Sequence, residues 1–315
     1  MFFYQLCYHI FFWLKRRKRS KKLLFLKRPF TYLSDLFSYY FWVLLNRKYP
    51  AFFEKHPVKC GINRKPRKER YVVSLTSFPA RIDYVHLAIE TLMRQSFKAD
   101  EIVLWLAREQ FPAENKLPAS LIKLKDRGLT IKFCDDLRSH KKYYYTFKEY
   151  GDCNVIIVDD DMFYPLDLIK RLVKLHRKHP ENIICESAQI IYPNITSLPT
   201  EWVVAENKAD YSDSIYVQSF NGAGALYPPH WYPDELFNIE NIKKYAFTAD
   251  DLWLKAMSII NNVKTVKEQK FRAFYIEIDI KKNETLFSVN KSDGENLNNV
   301  VWKSLCEKYE LGKYA

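Results

Sequence analysis

Short apolar segments alternate with amphipathic ones from residue 71 to residue 158, and this alternation constrains the fold more than any other feature of the sequence. Four segments have the length and composition of buried strands, namely 71–75, 101–106, 129–133 and 154–158. Apolar residues three and four positions apart predict a helix from Val85 to Met93. Strands that alternate with helices form mostly parallel sheets covered by helices on both faces. The sequence therefore predicts an α/β protein.

The basic residues are concentrated at the start of the chain. Residues 1–70 contain 18 Lys and Arg and three acidic residues, a net charge of +15, which leaves −2 for the rest of a chain whose total is +13. A nearly neutral body gives no support for nucleic-acid binding, and no nucleic-acid partner is expected. The six cysteines include no C-x-x-C pair, so we expect free thiols and no structural zinc site.

The first 58 residues combine aromatic segments with a polybasic run. The aromatic segments 1–14 and 36–45 are both shorter than the roughly 20 residues that a membrane-spanning helix needs. Nine basic residues and no acid lie between Lys15 and Arg28. This combination predicts a helical anchor on an anionic membrane surface, peripheral and at the cytoplasmic face. The alternatives are a packed helical extension with a solvated basic linker, or full insertion of 1–14.

The chain is accordingly divided into a membrane-associating extension (1–58), a basic linker (59–70) and a body (71–315). We expect the body to fold and function without the extension. Two further helices are predicted in the body, one near 118–127 that ends at Gly128 and one over 139–150.

The strongest motif is the acidic triplet Asp159, Asp160 and Asp161, which directly follows a buried strand. Ligands of parallel sheets bind beyond the carboxyl ends of the strands. In an extended backbone Asp159 and Asp161 would face the same side and could share one divalent ion, as Mg²⁺ or Mn²⁺ with oxygen ligands. The alternative is a solvated acidic turn that caps a helix starting near Pro165.

Other polar residues also follow strands or open helices. Candidate ligand-binding residues are Thr76, Ser77, Arg81, Asp136, Lys141 and Lys142. Hydroxyl groups can contact a base or ribose, and arginine can bind phosphate through two hydrogen bonds. Thr-Ser before a helix is also an ordinary N-cap, and the two lysines could belong to a solvated face.

Two downstream motifs complete the set. Asn221, Gly222 and Gly224 form a glycine-containing loop that would let a backbone approach a ligand closely, or that is simply a tight turn. The acidic pair Asp250 and Asp251 follows Thr248, which is a reasonable helix N-cap with Asp251 at the capping-box position. The acidic pair is therefore either a helix cap or a source of a general base.

Together these motifs resemble the GT-A-type nucleotide-sugar glycosyltransferases, and bacterial family 2-like enzymes in particular. The resemblance covers about residues 70–265 and has three parts: the helix, Gln95 turn and strand over 87–104, the acidic triplet, which is similar to a D-x-D metal site, and the acidic pair about 90 residues later. The pair is Asp-Asp where Glu-Asp is usual. A clear third metal ligand is lacking, and His230 is one possibility.

The resemblance implies a GT-A-like fold with a Rossmann-type sheet, a donor-binding part over about 71–165 and an acceptor-side part over about 166–315. It implies a metal-dependent, inverting transfer of a sugar from a nucleoside-diphosphate sugar to a glycan or lipid-linked hydroxyl acceptor, in cell-surface polysaccharide or lipid-linked glycan synthesis. The metal, Mn²⁺ or Mg²⁺, would be held by Asp161 and Asp159, and Asp251 would be the base, with Asp250 second. The implied donor-side residues are Thr76, Ser77, Arg81, Asp136, Lys141, Lys142, Asp159 and Asp160, and the implied acceptor-side residues are Asn221, Gly222 and Gly224.

Two other functions remain compatible with the sequence. A nucleotidyl- or phosphotransferase also uses clustered aspartates, and would release pyrophosphate rather than a nucleoside diphosphate. A non-enzymatic membrane scaffold would bind neither metal nor nucleotide sugar.

Overall fold

The computed structural model describes residues 2–19, 27–204, 214–267, 276–280 and 296–314. Within these ranges the α-helices are α1 (Phe2–Arg19), α2 (Lys27–Val43), α3 (Tyr49–Lys55), α4 (Val85–Met93), α5 (Ala119–Ile122), α6 (Lys141–Glu149), α7 (Leu168–His176), α8 (Ile239–Asn241), α9 (Asp250–Ile260) and α10 (Leu297–Tyr309). The strands are β1 (Tyr71–Thr76), β2 (Glu101–Ala107), β3 (Leu129–Cys134), β4 (Asn154–Ile157), β5 (Met162–Phe163), β6 (Ile183–Cys185), β7 (Ala188–Ile190), β8 (Val203–Val204), β9 (Val217–Ser219), β10 (Ala225–Tyr227), β11 (Thr265–Lys267) and β12 (Ile276–Glu277).

A seven-stranded sheet forms the centre of the described structure. Its strand order is β11-β6-β10-β4-β1-β2-β3. The strands β3, β2, β1 and β4 run parallel to one another, β11 is parallel to β6, and β10 runs antiparallel to both β4 and β6. This arrangement confirms the predicted α/β class and its mostly parallel sheet. The chain order of the strands reverses between β1 and β4, the kind of position at which ligands bind in open α/β sheets.

The sheet separates two hydrophobic cores, because successive strand residues point to opposite faces. Ile156 contributes to the core that contains α4 and α7, whereas Val155 and Ile157 contribute to the core that contains α9 and α10. Burial on both faces explains why β4 and the parallel strands beside it read as continuous apolar runs rather than as alternating ones. All six cysteines are free, in agreement with the expected reduced thiols.

The helix predicted over 118–127 is much shorter than expected. Only α5 is helical in the α sense, and a single tight turn over Lys125–Arg127 follows it. Leu121 and Leu124 are the deeply buried residues of this stretch, which is too few for a long amphipathic face. Gly128 ends the segment with a positive φ of 109°, a conformation that glycine adopts without steric cost.

The described part of the extension packs onto the body, as the packed-helix alternative predicts. Tyr4 and Tyr8 of α1 are fully buried and donate hydrogen bonds to the backbone carbonyls of Tyr164 and Phe163, the first over 2.7 Å. Residues of α1, α2 and α3 belong to the same hydrophobic core as β1 and α4. Removal of residues 1–58 would uncover this core, so the expectation of a fully functional isolated body is not supported. The division at residue 58 itself stays a prediction.

Simultaneous replacement of Tyr4→Phe and Tyr8→Phe is expected to lower the free energy of unfolding by about 2 kcal/mol, because each change removes a buried hydrogen bond between α1 and the body. Denaturant unfolding of the double variant measures the effect. Tyr39→Phe is the matched control, since Tyr39 lies on α2 with 61% of its surface exposed and should change stability little. An unchanged stability in the double variant would show that α1 is not held against the body in this way.

Candidate active site

The acidic triplet lies beyond the carboxyl end of β4, beside the end of β1. The hydroxyl of Ser77, which follows β1, donates a 2.5 Å hydrogen bond to Oδ2 of Asp160. Arg81 Nη1 lies 2.8 Å from Asp160 Oδ1 and 2.8 Å from Asp161 Oδ2. The predicted residues Ser77 and Arg81 therefore meet the acidic triplet at the point where the strand order reverses. The alternative of a solvated acidic turn is not supported for Asp160, which is 5% exposed.

The backbone of the acidic triplet is not extended, contrary to the geometry assumed from the sequence. The chain bends at Asp160 and Asp161, and Asp161 shares Arg81 with Asp160. Burial, followed by the charge of Asp159, raises the pKa of Asp161 to about 7 against the opposing effect of Arg81. Asp161 Oδ1 is buried and has no hydrogen-bond partner among the described residues. Such an oxygen is available to a ligand that the protein itself does not supply.

Lys142 joins the two acidic motifs. Its ammonium lies 2.7 Å from Asp159 Oδ1 and 3.1 Å from Asp250 Oδ2, and the residue is 4% exposed. The solvated-face alternative for this lysine is therefore wrong. Burial acts to lower the pKa of Lys142, but Asp159 and Asp250 raise it well above the usual value, so the ammonium stays charged. A buried cation is required here because several carboxylates converge on one place.

The acidic pair opens α9, but it does not do so as the predicted cap. The helix begins at Asp250, its N-cap is Ala249, and no side chain makes a capping hydrogen bond. The cap interpretation, in which Thr248 is the N-cap and Asp251 caps in return, is therefore wrong. The carboxylates lie instead at the positive end of the helix, facing Lys142 and the acidic triplet.

The two carboxyl groups of the acidic pair differ in their proton affinity. Burial raises the pKa of Asp250, but the Lys142 ammonium, His140 and the hydrogen bonds from Ser139 and Lys142 together lower it by more, so the net pKa lies below the usual value. Burial and the neighbouring charge of Asp250 raise the pKa of Asp251 well above its usual value. Asp251 Oδ1 is also buried without a hydrogen-bond partner among the described residues. Asp251 is thus the stronger base of the two.

The glycine-containing loop contacts both acidic motifs. A Cβ atom on Gly222 would lie 1.8 Å from Asp159 Oδ2, so only glycine fits against this carboxylate. Asn221 is fully buried, accepts hydrogen bonds from Ser219 and Tyr227, and lies beside Asp251, whose pKa it acts to lower. Gly224 instead packs against Leu168 with a φ of 100°, which makes it a turn residue away from the carboxylates.

Tyr164 holds the acidic triplet through hydrogen bonds, and the sequence did not predict this role. Its hydroxyl accepts a hydrogen bond from the Asp159 backbone N–H over 2.8 Å and donates to the Gly222 carbonyl over 2.7 Å. The backbone carbonyl of the same residue accepts from Tyr4 of α1. Tyr164 therefore connects the extension, the triplet and the glycine loop. One tyrosine among 22 gives no sequence signal for such a role.

Three predicted donor-side residues lie apart from the acidic triplet. The Thr76 hydroxyl donates to the carbonyl of Trp105 on the neighbouring strand over 2.8 Å. Asp136, after β3, forms an ion pair with Lys141 and accepts hydrogen bonds from Gln110 and the Arg138 backbone. Two strand spacings separate β3 from β1, which places Asp136 roughly 10 Å from the end of β1. The described contacts of Thr76, Asp136 and Lys141 are with neighbouring strands and loops rather than with the acidic triplet, and their donor-side role stays a prediction.

His230 cannot serve as the third metal ligand. Because β10 is antiparallel to β4, with Ala225 opposite Ile157 and Tyr227 opposite Val155, the chain after β10 runs toward the amino end of β4. His230 there lines a cavity of about 420 Å³ together with Glu181 and Lys264. His230 thus lies near the opposite end of the strands from the acidic triplet.

The carboxylates fit a divalent cation that also binds substrate oxygens. Among the described residues, no three His, Cys, Asp or Glu side chains form a ready-made metal site. Two carboxylates, Asp159 and Asp161, lie close enough for one charge to raise the pKa of the other, and Asp161 Oδ1 has no hydrogen-bond partner among the described residues. Mg²⁺ and similar hard ions are commonly held by one or two carboxylates, with phosphates and water completing the shell.

Glycosyltransferases are among the solved structures to which this chain is similar. The mannosyltransferase PcManGT from Pyrobaculum calidifontis, in complex with GDP-Man and Mn2+, is 11% identical, with a TM-score of 0.44 over 88% of this chain and 80% of that chain. TarS 1–349 of S. aureus is 12% identical, with a TM-score of 0.41 over 65% of this chain and 59% of that chain. The structure of TarS 1–349 in complex with UDP-GlcNAc is 13% identical, with a TM-score of 0.43 over 70% of this chain and 60% of that chain. Neither a protein-family model nor a curated protein sequence matches the chain.

Proposed function

We propose that this protein is a glycosyltransferase that moves a sugar from a nucleoside-diphosphate sugar to an acceptor hydroxyl. The observation that carries the proposal is the meeting of the acidic triplet and the acidic pair at Lys142, beside the point where the strand order reverses. The acidic triplet can hold a cation that binds the diphosphate, and the acidic pair can accept a proton from the acceptor hydroxyl. The proposed transfer requires both functions in one site.

Asp159 and Asp161 would hold Mn²⁺ or Mg²⁺, and the ion would neutralise the charge that develops on the leaving diphosphate. Arg81 and Lys142 now compensate the same carboxylates. When a divalent ion provides that compensation, the guanidinium and the ammonium can turn to phosphate oxygens instead. The two cations are thus placed to bind the donor without creating an uncompensated buried charge.

Asp251 is the proposed general base. Its raised pKa makes it a strong proton acceptor once it is ionised, and its unpartnered oxygen can accept the hydrogen bond of an acceptor hydroxyl. Asp250 is held by Lys142 and is the weaker base. Direct attack by the activated hydroxyl would invert the configuration of the sugar. We propose a glycan or lipid-linked acceptor, in the synthesis of a cell-surface polysaccharide or lipid-linked glycan.

Calorimetric titration of the full chain with a panel of common nucleotide sugars tests this function. We expect at least one nucleotide sugar to bind in the presence of Mn²⁺, and to bind much more weakly after the metal is removed with a chelator. The free nucleoside diphosphate of that sugar should compete for the same site. Absence of any metal-dependent binding across the panel would contradict the proposed function.

Gly222→Ala is expected to weaken metal-dependent donor binding by about tenfold or more, because the new Cβ would displace the Asp159 carboxylate. Donor titration in the presence and absence of Mn²⁺ measures the change. Gly312→Ala is the matched control, since its added Cβ would meet its nearest atom at 3.6 Å, an ordinary contact. Equal donor affinity in the Gly222→Ala protein and the control would show that Asp159 does not bind the metal.

A further inference from the structure

The helices α1 and α2 each expose an apolar and aromatic stripe, together called here the outer face. The outer face consists of Phe3, Leu6, Ile10 and Trp13 on α1, and Tyr32, Leu33, Leu36, Tyr39 and Tyr40 on α2, each between 37% and 69% exposed. On α1 these positions recur three and four residues apart, the spacing of one side of a helix. Most of the large exposed hydrophobic residues of the described chain lie on these two helices.

The opposite side of the same two helices packs against other residues of the protein. Tyr8 of α1 packs edge to face on Phe41 of α2, with ring centroids 4.9 Å apart, and both are buried. Tyr8 also bonds to the backbone of the body. Because one side of each helix already packs in the core of the protein, a small rotation of the helices would not bury the outer face. The exposed part of the outer face is accessible to a partner outside the protein.

The positive charge of the neighbouring sequence indicates which kind of surface the outer face contacts. The sequence that joins the two stripes carries nine basic residues and no acid between Lys15 and Arg28, whereas the chain after residue 70 has a net charge of −2. Tyrosine and tryptophan are the side chains enriched at the boundary between lipid headgroups and acyl chains. Clustered lysine and arginine residues next to such side chains bind anionic headgroups.

We propose that the outer face docks on the surface of an anionic lipid bilayer. The exposed aromatic and leucine side chains would enter the headgroup boundary, and the positive charge of the sequence from Lys15 to Arg28 would favour an anionic surface. Within the described residues, no helix combines the length and the hydropathy required to cross a bilayer. This docking proposal does not rest on the proposed function.

Flotation of the full chain with lipid vesicles tests this docking. The protein should float with vesicles made of equal amounts of phosphatidylcholine and phosphatidylglycerol, and bind pure phosphatidylcholine far less. Raised salt should weaken the binding, since it screens the basic segment. The combined variant Leu6→Ser, Trp13→Ser, Tyr39→Ser and Tyr40→Ser should lose about tenfold or more of its vesicle affinity.

A control variant separates lipid docking from a general loss of exposed apolar surface. Val203→Ser with Ile239→Ser removes two exposed apolar side chains, 52% and 37% exposed, from other parts of the protein and should leave flotation unchanged. Melting temperatures establish that both variants are folded. Equal flotation of the outer-face variant and the control would overturn the proposal. A second result would also overturn it: the unsubstituted protein does not bind anionic vesicles and sediments as a dimer, whereas the outer-face variant sediments as a monomer. A second copy of the chain would then cover this surface.

Discussion

Asp251→Asn should lower turnover by about 100- to 10,000-fold while donor affinity stays near that of the unsubstituted protein. The amide keeps the shape of the carboxylate but cannot take a proton. Stability should not fall, because the substitution ends the repulsion between Asp251 and the neighbouring Asp250, whose charge raises the pKa of Asp251. Turnover, donor affinity and melting temperature are measured on the same preparation.

Two comparisons sharpen the Asp251 experiment. Asp126→Asn changes an exposed aspartate in the same way and should leave turnover unaltered. Asp250→Asn should disturb Lys142 and therefore affect donor binding as well as turnover, since the two residues form an ion pair. Near-normal turnover in Asp251→Asn would show that another carboxylate removes the proton. The role would then pass first to Asp250.

Asp161→Ala should reduce turnover by about a thousandfold or more, equivalent to about 4 kcal/mol, and should abolish the metal-dependent part of donor binding. The fold should survive, because the lost carboxylate is a buried group whose pKa is raised to about 7 by its burial and by Asp159. Donor titration with and without Mn²⁺ is the measurement. Asp126→Ala provides the control for loss of an aspartate at the surface. Metal-dependent affinity that is unchanged in Asp161→Ala would exclude this residue as a metal ligand.

The parallel part of the sheet was predictable because its signal is local. Four apolar runs between helical patterns predicted β1 to β4 to within one or two residues. The same pattern placed Ser77 and the acidic triplet at strand ends, and the parallel arrangement then brings those ends to one edge of the sheet. Their direct hydrogen bond is a consequence of that arrangement. Local periodicity was therefore sufficient to predict that Ser77 and the acidic triplet lie together.

The remaining features depend on contacts between distant parts of the chain. The antiparallel direction of β10, which carries His230 away from the acidic triplet, is set by pairing with β4 and β6 and has no local pattern. The position of Lys142 between Asp159 and Asp250 likewise requires three separate segments to meet. Aromatic residues near the amino terminus suggested a membrane anchor, yet Tyr4 and Tyr8 face the body while Phe3 and Leu6 face outward. Composition alone does not reveal this division of one helix into two sides.

The central claim is transfer of a sugar with a nucleoside diphosphate as the leaving group, and phosphorus NMR of the reaction tests it most directly. The full chain is incubated with Mn²⁺ and the nucleotide sugar that binds in calorimetry, first with water and then with candidate acceptors, and with Asp161→Ala as the inactive reference. The two phosphorus signals of the nucleotide sugar should be replaced by those of the free nucleoside diphosphate. Release of pyrophosphate, or a nucleotide sugar that remains intact in every reaction, would contradict it.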